Sequence, residues 1–318
     1  MQRTTAVKPH LYQVVTDKLI ALLESGVAPW QRSWNQYGLA SNYANGHTYT
    51  GINAFMLNFF PSFEIPLYMT YKQAKDLGGQ VRKGAKAELV FFYKTLYKDG
   101  DGKSVKPQNV NNRRAAGEDI VTIPSPKKFH LFNISDIDGI DFTMPDGSPL
   151  RGAGGDPAGP LQACDDFVAT FRNAPEILHE DTNRAFYSIT HDRINMPPLP
   201  RFASSQEYYH VLFHEQIHAS GSADRLNRPG ITLPTEERAR GTTAYAFEEL
   251  IAEIGASYLC QHAGISSQPL QENSAAYLEG YLTHLRKDKK FVIQAASAAQ
   301  KAVDYLLGAS KGGACPLP

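Results

Sequence analysis

The segment His214-Glu215-Gln216-Ile217-His218 is an H-E-x-x-H pentad. On a helix, His214 and His218 share one face, so both imidazoles reach one metal ion while Glu215 points at the adjoining ligand position. A metal ion held there would supply a water of lowered pKa, and Glu215 would accept its proton as the general base. These residues predict a metallopeptidase-like site for Zn²⁺, with another divalent metal such as Mn²⁺ as the alternative.

A catalytic zinc site needs a third protein ligand and one open position. Asp224 would extend the pentad to HExxHxxGxxD, which resembles the metzincin pattern with Asp in place of the third His. Metzincins have a Met-turn after this motif, but every Met of this chain precedes it. Glu249 and Glu253 resemble the E-x-x-A-D helix of zincins with a Glu ligand, with Glu253 in place of Asp. Glu249 is the preferred ligand, and Glu253 and Asp224 remain alternatives.

The pentad must lie within a helix for this chemistry. Ser204 and Glu207 form a capping-box pattern that predicts a helix start, and Gly221 predicts its end. The predicted buried side consists of Val211, Leu212, Phe213 and Ile217. The helix that follows carries Glu248 beside the two candidate ligands, and the alternative for all three carboxylates is a solvated acidic helix face.

The net charge of the 318-residue chain is zero, but its halves differ in sign. Residues 1–135 hold 17 Lys and Arg against 9 Asp and Glu, and residues 136–318 hold 15 against 23. Pro and Gly are dense at 145–160, which predicts a flexible linker between domains at 1–144 and 161–318. The three cysteines favour reduced thiols over a disulfide framework.

The N-terminal half combines basic with aromatic residues. Aromatic rings stack on unpaired bases while Lys and Arg follow the phosphates, so this half is expected to bind single-stranded DNA. Its candidate contacts are Trp30, Trp34, Tyr71, Lys72, Arg82, Lys83 and Lys86. A helix from Leu11 to Gly26, a short helix at 71–77 and strands at 88–97 and 129–134 are also predicted. The charged segment 98–128 is expected to be a long mobile loop.

Six segments resemble the ArdC antirestriction family. Those of the N-terminal half are VTDKLIALLESGVAPWQRSW at 15–34, TGIN at 50–53, TYKQAKDLGGQVRKGAK at 70–86 and LFNISDIDGI at 131–140. Those of the C-terminal half are FHEQIHASGSADRLNR at 213–228 and YAFEELIAEIGASYL at 245–259. They occur in family order and cover most of the chain.

The resemblance implies an α+β protein with two domains. The first would bind single-stranded DNA and be related to the N-terminal part of TraC-type conjugative primases, and the second would be a zincin-like metallopeptidase domain. It also implies a plasmid-borne protein of conjugation that protects incoming DNA from host restriction.

Three functions follow as hypotheses. In the first, the basic domain escorts DNA and the metallo-domain cleaves or merely engages a host protein such as a restriction enzyme. The second is a DNA-tethered metalloprotease that acts on DNA-bound proteins, and the third is a DNA-binding module with a structural metal. We expect a cytoplasmic protein because no run of 18 apolar residues and no signal-like stretch occurs.

Overall fold

The computed structural model describes residues 11–27, 29, 38–61, 63, 65–143, 160–180, 184–265 and 275–308. Trp30, Trp34 and all but the last residue of the predicted linker lie outside the described residues. The described chain mixes helices and strands, which confirms the predicted α+β class. No helix in these ranges is long and apolar enough to cross a membrane.

The N-terminal half is built on a five-stranded sheet. In chain order its elements are α1 (Leu11–Glu24), β1 (Ser41–Asn42), α2 (Gly51–Phe59), β2 (Leu67–Thr70), α3 (Tyr71–Asp76), β3 (Gln80–Val81), β4 (Glu88–Lys98), β5 (Ser104–Val105), α4 (Pro107–Ala115), β6 (Val121–Asn133) and β7 (Ile137–Asp138). The sheet order is β1-β2-β6-β4-β5, and β3 pairs with β7. The predicted helices at 11–26 and 71–77 and the two predicted strands are confirmed.

The prediction of a long loop at 98–128 was wrong. Strands β4 and β6 pair antiparallel from Glu88↔Leu131 to Lys98↔Val121, and β5 and α4 form the connection between them. A small apolar cluster of Val105, Val110 and Ile120 holds this connection together. Its few apolar residues are dispersed among charged ones, so the sequence pattern concealed a local core.

The C-terminal half places a small sheet beside a group of helices. Its elements are α5 (Pro160–Ala169), β8 (Glu176–His179), β9 (Phe186–Ser188), β10 (Arg193–Met196), α6 (Ser205–Ala219), α7 (Pro229–Thr232), α8 (Thr243–His262), α9 (Ala275–Lys287) and α10 (Phe291–Leu306). The sheet order is β8-β10-β9, with β9 antiparallel to β10 at one edge.

Helix α6 carries the pentad, as predicted, and begins at its predicted cap. Ser204 Oγ accepts a hydrogen bond from the backbone N–H of Glu207 at 3.1 Å. Helices α6 and α8 pack closely because Gly255 of α8 faces Ile217 of α6, where an added Cβ would lie 2.7 Å from Ile217 Cδ1. This close contact brings side chains of the two helices to one site.

The two halves share one apolar cluster. It includes Phe55 and Phe59 of α2 together with Tyr258 of α8 and the alanines of α10. The rings of Phe59 and Tyr258 stack with centroids 6.0 Å apart, and Tyr258 Oη donates to the carbonyl of Gly51 at 2.9 Å. Helix α2 therefore packs directly against α8 and α10, and α8 in turn packs against the pentad helix α6.

Candidate metal centre

His214 and His218 converge on one point, as their spacing predicts. Their Nε2 atoms lie 3.0 Å apart, and their rings meet edge to face with centroids 4.7 Å apart. Both side chains are about nine-tenths buried, with 10% and 12% of their surface exposed. The helix fixes their relative positions because both lie within α6, His214 in its second half and His218 in its last turn.

Of the three candidate third ligands, the structure brings Glu249 to the histidines. Glu249 Oε2 lies 3.6 Å from His214 Nε2, and Oε1 lies 3.7 Å from His218 Nε2. Within the described ranges, these three residues form the group whose ligand atoms all lie within 4.8 Å of one another. Glu253 is buried one turn further along α8, and Asp224 is exposed in the turn after α6.

The three donors fit a divalent metal ion. Ligand atoms about 2.0–2.1 Å from a tetrahedral ion lie about 3.3 Å from each other, and the observed separations of 3.0 to 3.7 Å bracket this value. Two imidazoles and one carboxylate also match the donor set of His₂Glu zinc sites. Three ligands leave a coordination position open.

The side chains of this cluster shift each other's pKa values. Burial alone would lower the pKa of His214, but the carboxylate of Glu249 and the charges of Glu253 and Glu215 raise it to about 9. Burial would raise the pKa of Glu249, but its contact with His214 and the charge of His218 lower it to about 2. Glu253 thus acts on His214 through its charge from within the core.

Glu248 does not lie on a solvated helix face, which was the alternative that the sequence left open for the three carboxylates of α8. Only 3% of Glu248 is exposed, and its Oε1 lies 3.2 Å from His218 Nδ1. Because Nδ1–H donates to this carboxylate, the lone pair of Nε2 points toward the cluster. Adjacent helix positions are turned by about 100°, so Glu248 and Glu249 reach His218 from different directions.

Arg228 binds Glu248 from the other side. Its Nε donates to Glu248 Oε2 at 3.0 Å and its Nη2 to Oε1 at 2.6 Å, while Nη1 donates to Ser220 Oγ at 2.8 Å. The charge of Arg228 holds the pKa of Glu248 below its usual range, although burial acts in the opposite direction. The pair is packed without spare room, since an added Cβ at Gly230 would lie 2.4 Å from Glu248 Cβ.

Glu215 lies beside the histidines in a cleft of about 380 Å³. Its Oε2 accepts a hydrogen bond from the backbone N–H of Tyr187 at 2.7 Å, which ties the carboxylate to the edge strand β9. The cleft is also lined by Phe186, Arg238 and Tyr245. Glu215 and the cluster of His214, His218 and Glu249 therefore open onto a space that a substrate can enter.

The structure places five of the predicted DNA contacts along one stretch of chain. Tyr71 and Lys72 begin α3 and are exposed, as are Lys83 and Lys86 in the turn after β3. Arg82 lies near two carboxylates, with 3.5 Å from Nη2 to Asp136 Oδ1 and 3.8 Å from Nε to Asp138 Oδ1. Its charge is therefore partly compensated within the protein, which the sequence did not indicate.

Sequence reasoning missed Glu248, Arg228 and Tyr187. Two acidic neighbours on a helix signal a solvated face, and nothing local shows that Arg228 folds back to cover one of them. The backbone N–H of Tyr187 has no sequence signal, because any residue of an edge strand offers one.

Two family models match the chain. The N-terminal domain of the anti-restriction factor ArdC matches residues 9–132, and a zincin-like metallopeptidase matches residues 163–298. The second range contains His214, His218 and Glu249, and the predicted linker at 145–160 falls between the two ranges.

Solved structures and a curated relative are similar over nearly the whole chain. The metal-free crystal structure of the antirestriction ArdC protein from the R388 plasmid is 33% identical, with a TM-score of 0.69 over 93% of this chain and 96% of that one. Its Mn(II)-bound structure is 34% identical, with a TM-score of 0.66 over 94% and 98%. The DNA primase TraC of Escherichia coli is 33% identical over 94% of this chain, which spans 20% of that primase.

Proposed function

This chain belongs to the ArdC antirestriction family, and from that premise we propose that it protects incoming DNA from host restriction. In this proposal the N-terminal domain binds single-stranded DNA and the zincin-like domain hydrolyses a peptide bond in a host protein. A restriction enzyme is the expected protein partner. The observation that carries the proposal is the cluster of His214, His218 and Glu249 with Glu215 beside it in an open cleft.

His214, His218 and Glu249 would hold the metal ion, with Zn²⁺ as the expected metal. The donor set favours Zn²⁺, and the Mn(II)-bound relative makes Mn²⁺ the alternative. When bound, the ion supplies Lewis acidity that activates water and polarises a carbonyl. An open position on a cleft supports a catalytic site over a structural one, because structural zinc sites have four protein ligands.

Glu215 would move the proton of this reaction. One carboxylate oxygen is held by Tyr187 N–H, so the other can accept a proton from water and then deliver it to the leaving amine. Glu248 keeps the proton of His218 on Nδ1, which holds Nε2 ready as a ligand. Arg228 in turn fixes Glu248 in place.

The N-terminal domain would bind DNA through exposed lysines and Tyr71. Lys72, Lys83 and Lys86 are exposed within 15 residues of chain, and Tyr71 is 52% exposed. An exposed ring among cations suits stacking on unpaired bases. The ArdC-type match and the TraC relative support this assignment.

A DNA-tethered protease that acts on DNA-bound proteins is the second candidate. The shared core of α2, α8 and α10 favours it, because a fixed geometry would present the cleft to proteins on the same strand. The two candidates differ in substrate, a free restriction enzyme or a protein already attached to DNA.

A restriction-protection assay with two variants tests the proposal. Glu215→Gln should lose peptide cleavage while its metal content, measured by mass spectrometry, stays near that of the wild type. Removing the charges of Lys72, Lys83 and Lys86 together should leave cleavage intact and weaken DNA binding. We expect both variants to lose protection of incoming DNA, and full protection by Glu215→Gln would show that hydrolysis is not the mechanism.

A further inference from the structure

The lining of the cleft combines apolar and cationic side chains. Phe186 of β9 and Ile189, which directly follows that strand, are 46% and 38% exposed. The segment between α7 and α8 contributes Arg238 and Arg240. An occupant would therefore meet both apolar surface and positive charge.

The Arg238 side chain is held in place by neutral groups. Its Nε donates to the carbonyl of Leu233 at 2.9 Å, and Nη2 lies 3.4 Å from Thr235 Oγ1. Among the residues that the structure describes, no carboxylate oxygen lies within 4.0 Å of its guanidinium. Arg238 is thus a fixed, partly buried cation on the cleft wall without a counterion of its own.

The acidic groups of the cleft already have other partners. Glu248 is bound by Arg228 and His218, Glu249 contacts both histidines, and Glu215 accepts from Tyr187 N–H. A partly buried guanidinium gains most from a carboxylate, whose two oxygens match its fork of donors.

We propose that Arg238 is a carboxylate subsite, so that the cleft selects peptides with an acidic group beside the bond to be cleaved. This inference rests on the proposed peptide hydrolysis and names its substrate class. The occupant is a peptide rather than DNA because residues 136–318 carry a charge of −8, which disfavours a polyanion but admits one carboxylate. Phe186 and Ile189 would contact the neighbouring side chains of the same peptide.

The carboxylate has two sources, an Asp or Glu side chain and a peptide C-terminus. The test uses the metal-loaded full chain with Glu215→Gln, so that binding is measured without cleavage. Fluorescein-labelled hexapeptides are compared by anisotropy in matched pairs, Asp against Asn, Glu against Gln, and a free C-terminus against its amide. We expect the acidic member of at least one pair to bind about 10-fold or more tightly, as a charge-assisted hydrogen bond allows.

Substitutions at Arg238 then assign the preference. Arg238→Gln should reduce it to within about 2-fold, and Arg238→Lys should retain part of it because the charge remains. Arg172→Met is the matched control, since Arg172 is exposed and does not line the cleft. Circular dichroism melts identify any variant that unfolds. If Arg238→Gln unfolds, the peptide preference of Arg238→Lys decides whether Arg238 is the subsite.

Three results would overturn the subsite. In the first, the acidic and the neutral peptide of every pair bind with equal affinity. In the second, a preference for the acidic peptide survives Arg238→Gln, and in the third, no acidic preference exists and Arg238→Gln instead loses affinity for single-stranded DNA. Cleavage of the preferred peptide by the wild-type protein is measured separately. An acidic preference in binding without cleavage supports the subsite and refutes the proposed hydrolysis, so the two failures are distinguishable.

Discussion

Replacing Arg228 with Met should lower the free energy of unfolding by about 3–5 kcal/mol, because it leaves the carboxylate of Glu248 buried without its cation. Glu248 and Arg228 are only 3% and 7% exposed, so water cannot replace the lost partner. The variant also loses the hydrogen bonds from Arg228 to Ser220 Oγ and to the carbonyl of Ile217. A total stability of about 5–15 kcal/mol makes this a large loss.

The same substitution should weaken metal binding. Without Arg228, Glu248 is free to turn away from His218 Nδ1 and no longer fixes the orientation of that imidazole. Loss of a group that hydrogen-bonds to a metal-ligating histidine typically lowers metal affinity by about 10–100-fold. The metal dissociation constant should therefore rise by that factor in the folded variant.

The instability of Arg228→Met should also depend on pH. In the wild type, burial would raise the pKa of Glu248, but the charge of Arg228 outweighs this effect and holds that pKa below its usual range. In the variant, burial raises the pKa of Glu248 above its unfolded value, so the contribution of Glu248 to stability is lost as pH rises through that raised pKa. The loss of stability should be greater at pH 8 than at pH 5.

Urea denaturation of the metal-free protein at both pH values measures the stability, and calorimetric titration with Zn²⁺ measures the affinity. Arg286→Met is the matched control, because its contact with Glu24 is about half exposed and should be worth about 1 kcal/mol or less. In the double variant with Glu248→Gln, part of the stability should return. A loss below about 1 kcal/mol in Arg228→Met would refute the argument from burial, and an unchanged zinc affinity would refute the argument from orientation.

Four further outcomes are expected. Gly230→Ala should destabilise the protein by about 1–3 kcal/mol in urea denaturation, since the new Cβ would overlap Glu248 Cβ, and an unchanged midpoint would contradict the close packing. Because His214 has a pKa of about 9 in the metal-free protein, its charge contributes stability below pH 6.5 that is lost as pH rises through about 9. Zinc must displace that proton, so calorimetry in buffers of different ionisation enthalpy should show proton release at pH 7, and zinc affinity should increase toward pH 9. Deleting residues 1–144 should leave a C-terminal fragment that binds a hydrophobic dye and lacks near-ultraviolet circular dichroism, because α2 would no longer cover the shared core; a native-like spectrum would contradict this. Replacing three lysines of the N-terminal half with Gln should reduce the slope of log affinity for single-stranded DNA against log salt by about 2, whereas Lys301→Gln should leave it unchanged. The three lysines are Lys72, Lys83 and Lys86.

Elements whose signals are local were predicted correctly. Ser204 caps α6 because its hydroxyl meets an N–H three residues along the chain, a contact that needs no other part of the protein. The strand at 88–97 was evident from its run of apolar and aromatic residues. The segment 98–128 was predicted wrongly because Val105, Val110 and Ile120 form a cluster only after the chain folds back on itself.

The sequence alone determined the histidine pair and its base. Residues four apart on a helix share a face whatever surrounds the helix, so His214 and His218 had to converge once α6 formed. The tertiary structure decided which carboxylate meets them. The spacing of Glu249 and Glu253 shows that they share a face of α8, but their distance from the histidines depends on how α6 and α8 pack at Gly255 and Ile217. The same packing buries Glu248 against Arg228, because contacts between elements distant in sequence arise only from the folded arrangement.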